Sequence, residues 1–191
     1  IIALAIFSGA LMAKDIIQTG EQRRYQDQVI YQHQSQYQNI VITQSGEDYW
    51  LFINGNQQLS TLDEVKYHEP LVHPALKLHP DPKNVLILGG GDGCAAREVL
   101  KYVKVDSIDL VDLDPAMTKL GKEHFIFTEM NQNSLSHPKV NVINEDAYKF
   151  LESTKSFFDV IIIDLPDPKN VELGRLYSFE FYKLCHDQVR L

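Results

Sequence analysis

The alternation of hydrophobic and polar positions divides the chain into two regimes. Between residues 37 and 60, short β-rich runs are separated by turn residues: YQNIVIT at 37–43 and DYWLFI at 48–53 flank Ser45-Gly46-Glu47. Asn54-Gly55 then leads into a further run at 57–60, and an Asn-Gly pair between such runs is a strong hairpin signal. A small antiparallel sheet is predicted here, entered from the polar, Gln-rich stretch 21–36. From residue 84 onward, apolar runs and helical spacings take turns. Strands are predicted at 85–88, 105–111, 140–144 and 157–164, with helices at 115–125, 147–151 and 179–191. Alternation of this kind implies a Rossmann-like, doubly wound parallel sheet, with its ligand beyond the carboxyl ends of the strands. Between the regimes lies TLDEVKYHEPLVHPALKL at 61–78, a helix that Pro70 and Pro74 should kink or divide.

The predicted organisation is therefore an apolar segment at 1–19, a linker, β domain and connecting helix at 20–79, and an α/β nucleoside-binding domain at 80–191. The first residues, IIALAIFSGALMA, carry no charge and precede Lys14, Arg23 and Arg24. They read as the end of a membrane-spanning helix whose basic flank faces the cytoplasm. A signal-peptide core and a buried amphipathic helix are the competing readings. The chain starts without Met and stops after a helical pattern, so it reads as a piece of a longer protein. The catalytic part is expected in the cytoplasm and the full-length protein in the inner membrane.

The α/β part is organised around NVLILGGGDGCAAREVLKY at 84–102, which reads as strand, tight loop and helix. Glycines in such a loop let a ligand approach bare backbone, and Gly89, Gly90 and Gly91 are the candidates. Asp92 would repel a pyrophosphate and attract a sulfonium or ammonium group. The loop therefore favours a cationic nucleoside such as S-adenosylmethionine or its decarboxylated form, a merely structural glycine turn being the alternative. The other strands also end in acids: Asp112 and Asp114, Asp146, and Asp164. Asp112 follows the loop by about twenty residues, where such folds place a ribose-binding carboxylate. Asp146 suits either an adenine amino group or the cap of the following helix. In DLPDP, Asp164 and Asp167 are held in a loop by two prolines, a pair suited to binding an amine and accepting its proton, or to a turn.

Hydrophobic content of 44% and charged content of 23% are ordinary for a folded protein, and the net charge of −8 argues against a nucleic-acid surface. Cys94 and Cys185 form no metal or redox spacing, and no metal-ligand cluster is seen.

These residues resemble the polyamine synthases, the spermidine synthase family of aminopropyltransferases. The resemblance rests on YQNIVI, INGNQQLSTLDEVKYHE, LILGGGDGCAAREVLKY, VDLDP, NEDAY and DVIIIDLPDP, in that order. It implies transfer of an aminopropyl group from decarboxylated S-adenosylmethionine, as co-substrate and without a resident cofactor, to a diamine such as putrescine. By position it makes Asp164 the general base and gives the acceptor amine to Asp167 and Tyr67. Gln38, Gln58, His68, the three glycines, Asp92, Asp112, Asp146 and Ala147 fall on the donor side. A homodimer would also be compatible with it. The chain departs from the family's soluble members at Leu165 and Pro166, at Asp112 where Glu is common, and at Ala147 in place of glycine. With the apolar N-terminus, these features look more like the bacterial branch that carries a membrane region. A methyltransferase using intact S-adenosylmethionine and a catalytically silent polyamine-binding module are the alternatives.

Overall fold

Hydrogen bonding along the β-rich runs builds two separate sheets. The structure, a computed structural model, describes residues 20–190, so the apolar segment at 1–19 lies outside the described residues. Within them, no helix is long and apolar enough to cross a membrane. The chain divides into two units, the first ending at Leu62 and the second running from Asp63.

In the first unit, β1 (Gln28–Gln34), β2 (Asn39–Ser45), β3 (Asp48–Ile53) and β4 (Asn56–Ser60) form an antiparallel sheet in chain order. Asn54 and Gly55 both take positive φ, 51° and 77°, as a two-residue hairpin turn of matching twist requires. Ile40, Val41, Ile42 and Leu51 are its buried apolar residues of lowest exposure. The stretch read as a polar linker thus already contributes a full strand, β1, whose half-exposed pattern hides it from a hydrophobicity reading.

The second unit opens with α1 (Val65–Leu78), continues through β5 (Asn84–Gly89), α2 (Cys94–Leu100), β6 (Ser107–Asp112), α3 (Pro115–Glu123) and α4 (Phe125–Met130), and then β7 (Val140–Asn144) and α5 (Ala147–Ser153). It ends with β8 (Val160–Asp164), α6 (Val171–Gly174) and α7 (Phe179–Asp187). The four strands are parallel in the order β7-β6-β5-β8. This antiparallel sheet followed by a parallel α/β sheet is the predicted fold class.

Two expectations are corrected. The helix expected to close the first unit groups with the second, so the division falls at 62/63 and not at 79/80. The cause is packing: Val72 and Leu76 of α1 join Val85, Ile87, Ala95 and Val99 in one apolar cluster. Nor do the prolines divide α1, which runs unbroken through both. Spaced by four, Pro70 and Pro74 lie on the exposed side, while His68, Val72 and Leu76 keep the buried face.

Smaller differences occur elsewhere. The helix predicted at 115–125 breaks at His124, whose extended backbone restarts the chain as α4. The strand predicted at 157–164 begins only at Val160 as β8 and forms an edge of the four-stranded sheet, with Ile161 and Ile163 half-buried. The strand covered on both faces is β5. One apolar cluster covers one side of it, and Leu86 and Leu88 face a second with Phe150, Leu151 and Phe181.

Candidate active site

Strand register sets the site. β5 lies between β6 and β8, with Leu88 paired to Val111 and Gly89 to Asp164, so the loop leaving β5 is flanked by the carboxyl ends of both neighbours. Gly89 has φ +86°, and a Cβ there would stand 1.9 Å from the backbone oxygen of Asp164. Only glycine fits so close a strand crossing. The Gly90 amide then donates to that same oxygen at 3.2 Å, and the Gly91 amide donates to Oδ2 of Asp112 at 3.0 Å.

Asp164 ends β8 with a side chain only 10% exposed. Its Oδ1 accepts the Tyr67 phenol at 2.9 Å, whereas its Oδ2 is buried with no hydrogen-bond partner among the described residues. Burial, and then the nearby Asp92 carboxylate, push Asp164 up to about 6 against the opposing pull of His68 and the Tyr67 bond. The Tyr67 hydroxyl is itself raised, by burial and by Asp164. Asp92 accepts the Cys94 amide at 2.7 Å, which turns its carboxylate back across the loop.

His68, 2% exposed, stands between the two acids, with Nε2 3.9 Å from both Oδ1 of Asp92 and Oδ2 of Asp164. One ligand atom from each of the three lies within 4.8 Å of the others. Burial disfavours the imidazolium, but the Glu64 hydrogen bond and the Asp92 and Asp164 charges outweigh it and raise His68. The arrangement gathers two carboxylates and an imidazole within a few ångströms of one another.

Asp112 uses both oxygens on backbone: Oδ2 on Gly91 and Oδ1 on the Asp114 amide at 2.9 Å. Burial nonetheless pushes it up to about 6, against those two hydrogen bonds. The structure thus brings Tyr67, His68, Asp92, Asp112 and Asp164 around the glycine loop.

Other predicted residues have local contacts of their own. Asp146 caps α5 through the Tyr148 and Lys149 amides, each at 3.1 Å, and its second oxygen pairs with Arg175, leaving Ala147 buried behind it. Asp167 is exposed in the loop after β8. Gln38 and Gln58 belong to the first unit: the Gln38 amide donates to the Ser35 hydroxyl at 2.9 Å, and Gln58 is exposed with Nε2 on the Asn56 carbonyl. Their donor-side role rests on the resemblance alone.

Several supporting residues escaped the sequence reading. Glu64 receives His68 Nδ1 at 2.8 Å and two Arg97 bonds at 2.7 and 3.0 Å. The signal was present as an i, i+4 pair and as an Arg-Glu pair, Arg97-Glu98, on a helix otherwise built of apolar residues. Tyr177 donates to the Leu165 and Pro166 carbonyls, fixing the chain just after Asp164. Asn131 Nδ2 reaches the Asp92 carbonyl at 2.6 Å and the Gly121 carbonyl at 2.7 Å, and Ser134 donates to the Gly93 carbonyl. These contacts fasten the acidic loop from behind.

A glycine loop edged by acids at the carboxyl end of a parallel sheet defines the class of α/β proteins that hold nucleosides. The Spermine/spermidine synthase domain profile matches residues 64–190, and the chain belongs to that family. It is 45% identical over 190 residues to a polyamine aminopropyltransferase of Oceanobacillus iheyensis, covering 100% of this chain and 37% of that protein. A polyamine aminopropyltransferase of Leptospira interrogans is 51% identical over 162 residues, 85% of this chain and 32% of its own. The chain thus spans about a third of the length of these relatives. A crystal structure of spermidine synthase in complex with the transition-state analogue AdoDATO superposes with a TM-score of 0.79 at 34% identity, covering 85% of this chain and 55% of that one. Spermidine synthase from Thermotoga maritima gives 0.77 at 33%, covering 85% and 54%.

Proposed function

We propose that the protein is a polyamine aminopropyltransferase, moving the aminopropyl group of decarboxylated S-adenosylmethionine to a diamine, with putrescine the acceptor and spermidine and methylthioadenosine the products. The observation that carries this reading is the buried Oδ2 of Asp164 beside Asp92, which has no hydrogen-bond partner among the described residues. An acceptor ammonium supplies the N–H donors that oxygen lacks.

In the proposed reaction Asp164 takes a proton from the acceptor nitrogen, whose freed lone pair attacks the carbon next to sulfur. The C–N bond forms as the C–S bond breaks, and the bonding electrons return to sulfur, leaving a neutral thioether. A base raised to about 6 is ionised at neutral pH and yet holds a proton better than an ordinary carboxylate, which suits the task. Tyr67 keeps the carboxylate aimed, and Asp92 holds the donor's amine end. Asp112 takes the ribose, and the exposed Asp167 meets the far end of the acceptor. Because the sulfonium is already activated, alignment and charge placement supply the rest. The relatives named above and the analogue-bound spermidine synthase support the same chemistry.

The test is turnover by the full-length protein. Decarboxylated donor with putrescine, cadaverine, agmatine or spermidine should release methylthioadenosine. Absence of release with all four would reject the reading, and release of S-adenosylhomocysteine from intact S-adenosylmethionine would replace it with methyl transfer.

A further inference from the structure

Behind the acidic pocket runs a buried line of charges that the proposed reaction does not itself use. Glu64 is 5% exposed, Arg97 7% and Glu98 0%. Glu64 binds Nδ1 of His68 on one side and the Arg97 fork on the other, while Arg97 Nε donates to Glu98 at 2.8 Å and its Nη1 to the Met130 carbonyl at 2.6 Å. Glu98 pairs outward with Lys101 at 2.6 Å and with His73 at 3.0 Å. Buried charges are costly unless paired and hydrogen-bonded, and each of these is. So many charges behind one histidine exceed what packing requires.

We propose that Glu64, braced by Arg97, is a positioning residue: it keeps a proton on Nδ1 of His68 and so presents Nε2 to Asp92 and Asp164, where it limits their mutual repulsion. The inference rests on the reading of Asp164 as the base. An ionised Glu64 offers only acceptors, its carboxylate at 2.8 Å and its backbone carbonyl at 3.0 Å, so the ring nitrogen facing it carries hydrogen and the carboxylate adds the charge that raises His68. Its hydrogen bonds to His68 and Arg97, acting against burial, hold Glu64 down at about 2, so it is ionised throughout the working range. The groups facing His68 are Glu64 and Tyr67 from its own segment, Cys94 from α2, Asp92 from the loop and Asp164 from β8. Burial pushes the Cys94 thiol up, so it stays neutral and leaves three carboxylates to charge the ring. A charged His68 in turn favours ionised Asp164.

Removing the Glu64 charge therefore lets His68 lose its proton at lower pH, and Asp164 then holds its own proton to higher pH. In Glu64→Gln the acidic limb of kcat/KM should move up by about one pH unit, with Glu64→Asp restoring it. Nitrogen-15 NMR of the histidine-labelled full-length protein, assigned with His68→Gln, reads the pairing directly. Expected are a proton on Nδ1 at every pH and a titration above the ordinary histidine value of roughly 6.5, falling in Glu64→Gln and in Asp164→Asn. A bare Nδ1, or a His68 titration identical in wild type and Glu64→Gln, would overturn the inference. Should Glu64→Gln fail to fold, an unchanged titration in Asp164→Asn overturns it equally. The spectra need no turnover, so an inactive protein would reject the functional reading while the NMR still judges this one.

Discussion

Tyr67 and Asp164, 97 residues apart in the chain, are joined by a 2.9 Å hydrogen bond from the phenol to Oδ1. The bond leaves the other oxygen of the carboxylate buried without a hydrogen bond, 3.9 Å from Nε2 of His68.

Asp164→Asn keeps the shape but not the base. Turnover should fall by roughly a hundredfold or more, with donor affinity largely retained, because in the proposed reaction the carboxylate acts on the acceptor. Single-turnover kinetics alongside calorimetric binding of the donor separates the two effects, and a variant keeping most of its rate would move the proton elsewhere.

Tyr67→Phe removes the bond that helps keep Asp164 ionised. The acidic limb of kcat/KM should shift to higher pH, and the rate at neutral pH should drop about tenfold, in line with the loss of one hydrogen bond to a charged group. A pH profile unchanged from wild type would show the phenol to be a spectator.

Much of this arrangement could be read from residue order. Asn54-Gly55 announced its hairpin, the loop GGGDG its turn, and acids at strand ends their shared rim, because each is a local pattern with a local cause. What was hidden depends on partners distant in sequence. Glu64 and Arg97 are 33 residues apart, and nothing in either segment says they will meet. Asp146 could be read as an adenine contact or as the cap it proves to be, but not as the partner of Arg175, 29 residues on. The prolines of α1 misled for a related reason: their cost depends on which side faces water, and tertiary packing decides that.

Glycine substitutions separate strain from crowding. Gly46 and Gly89 both have positive φ, +62° and +86°, but only Gly89 would drive a Cβ into backbone. Gly46→Ala should cost about 1 kcal/mol, the conformational penalty alone. Gly89→Ala should exceed about 3 kcal/mol or abolish folding, since strand β8 would have to move. Chemical denaturation compares them, and equal losses would refute the close crossing.

Asp112 makes stability pH-dependent in an unusual direction. Its native value of about 6 lies above that of an unfolded carboxylate near 3.9, so the folded state binds more protons between these limits. The stabilisation is complete below the lower value and is lost as pH rises through the upper. In Asp112→Asn the fall in Tm between about pH 4 and pH 6 should be shallower than in wild type. Parallel curves would mean that the carboxylate is not raised.

Asn131 grips the Asp92 and Gly121 carbonyls with a single amide, and the neighbouring Ser134 holds Gly93. The segment from the break at His124 to this turn therefore works as a splint, setting the height of an acid it never touches with its own charge. Its tolerance should follow geometry more than chemistry: swaps on its outer face leave the pocket alone, whereas one inserted or deleted residue tips the Asp92 carboxylate out of line with Asp164.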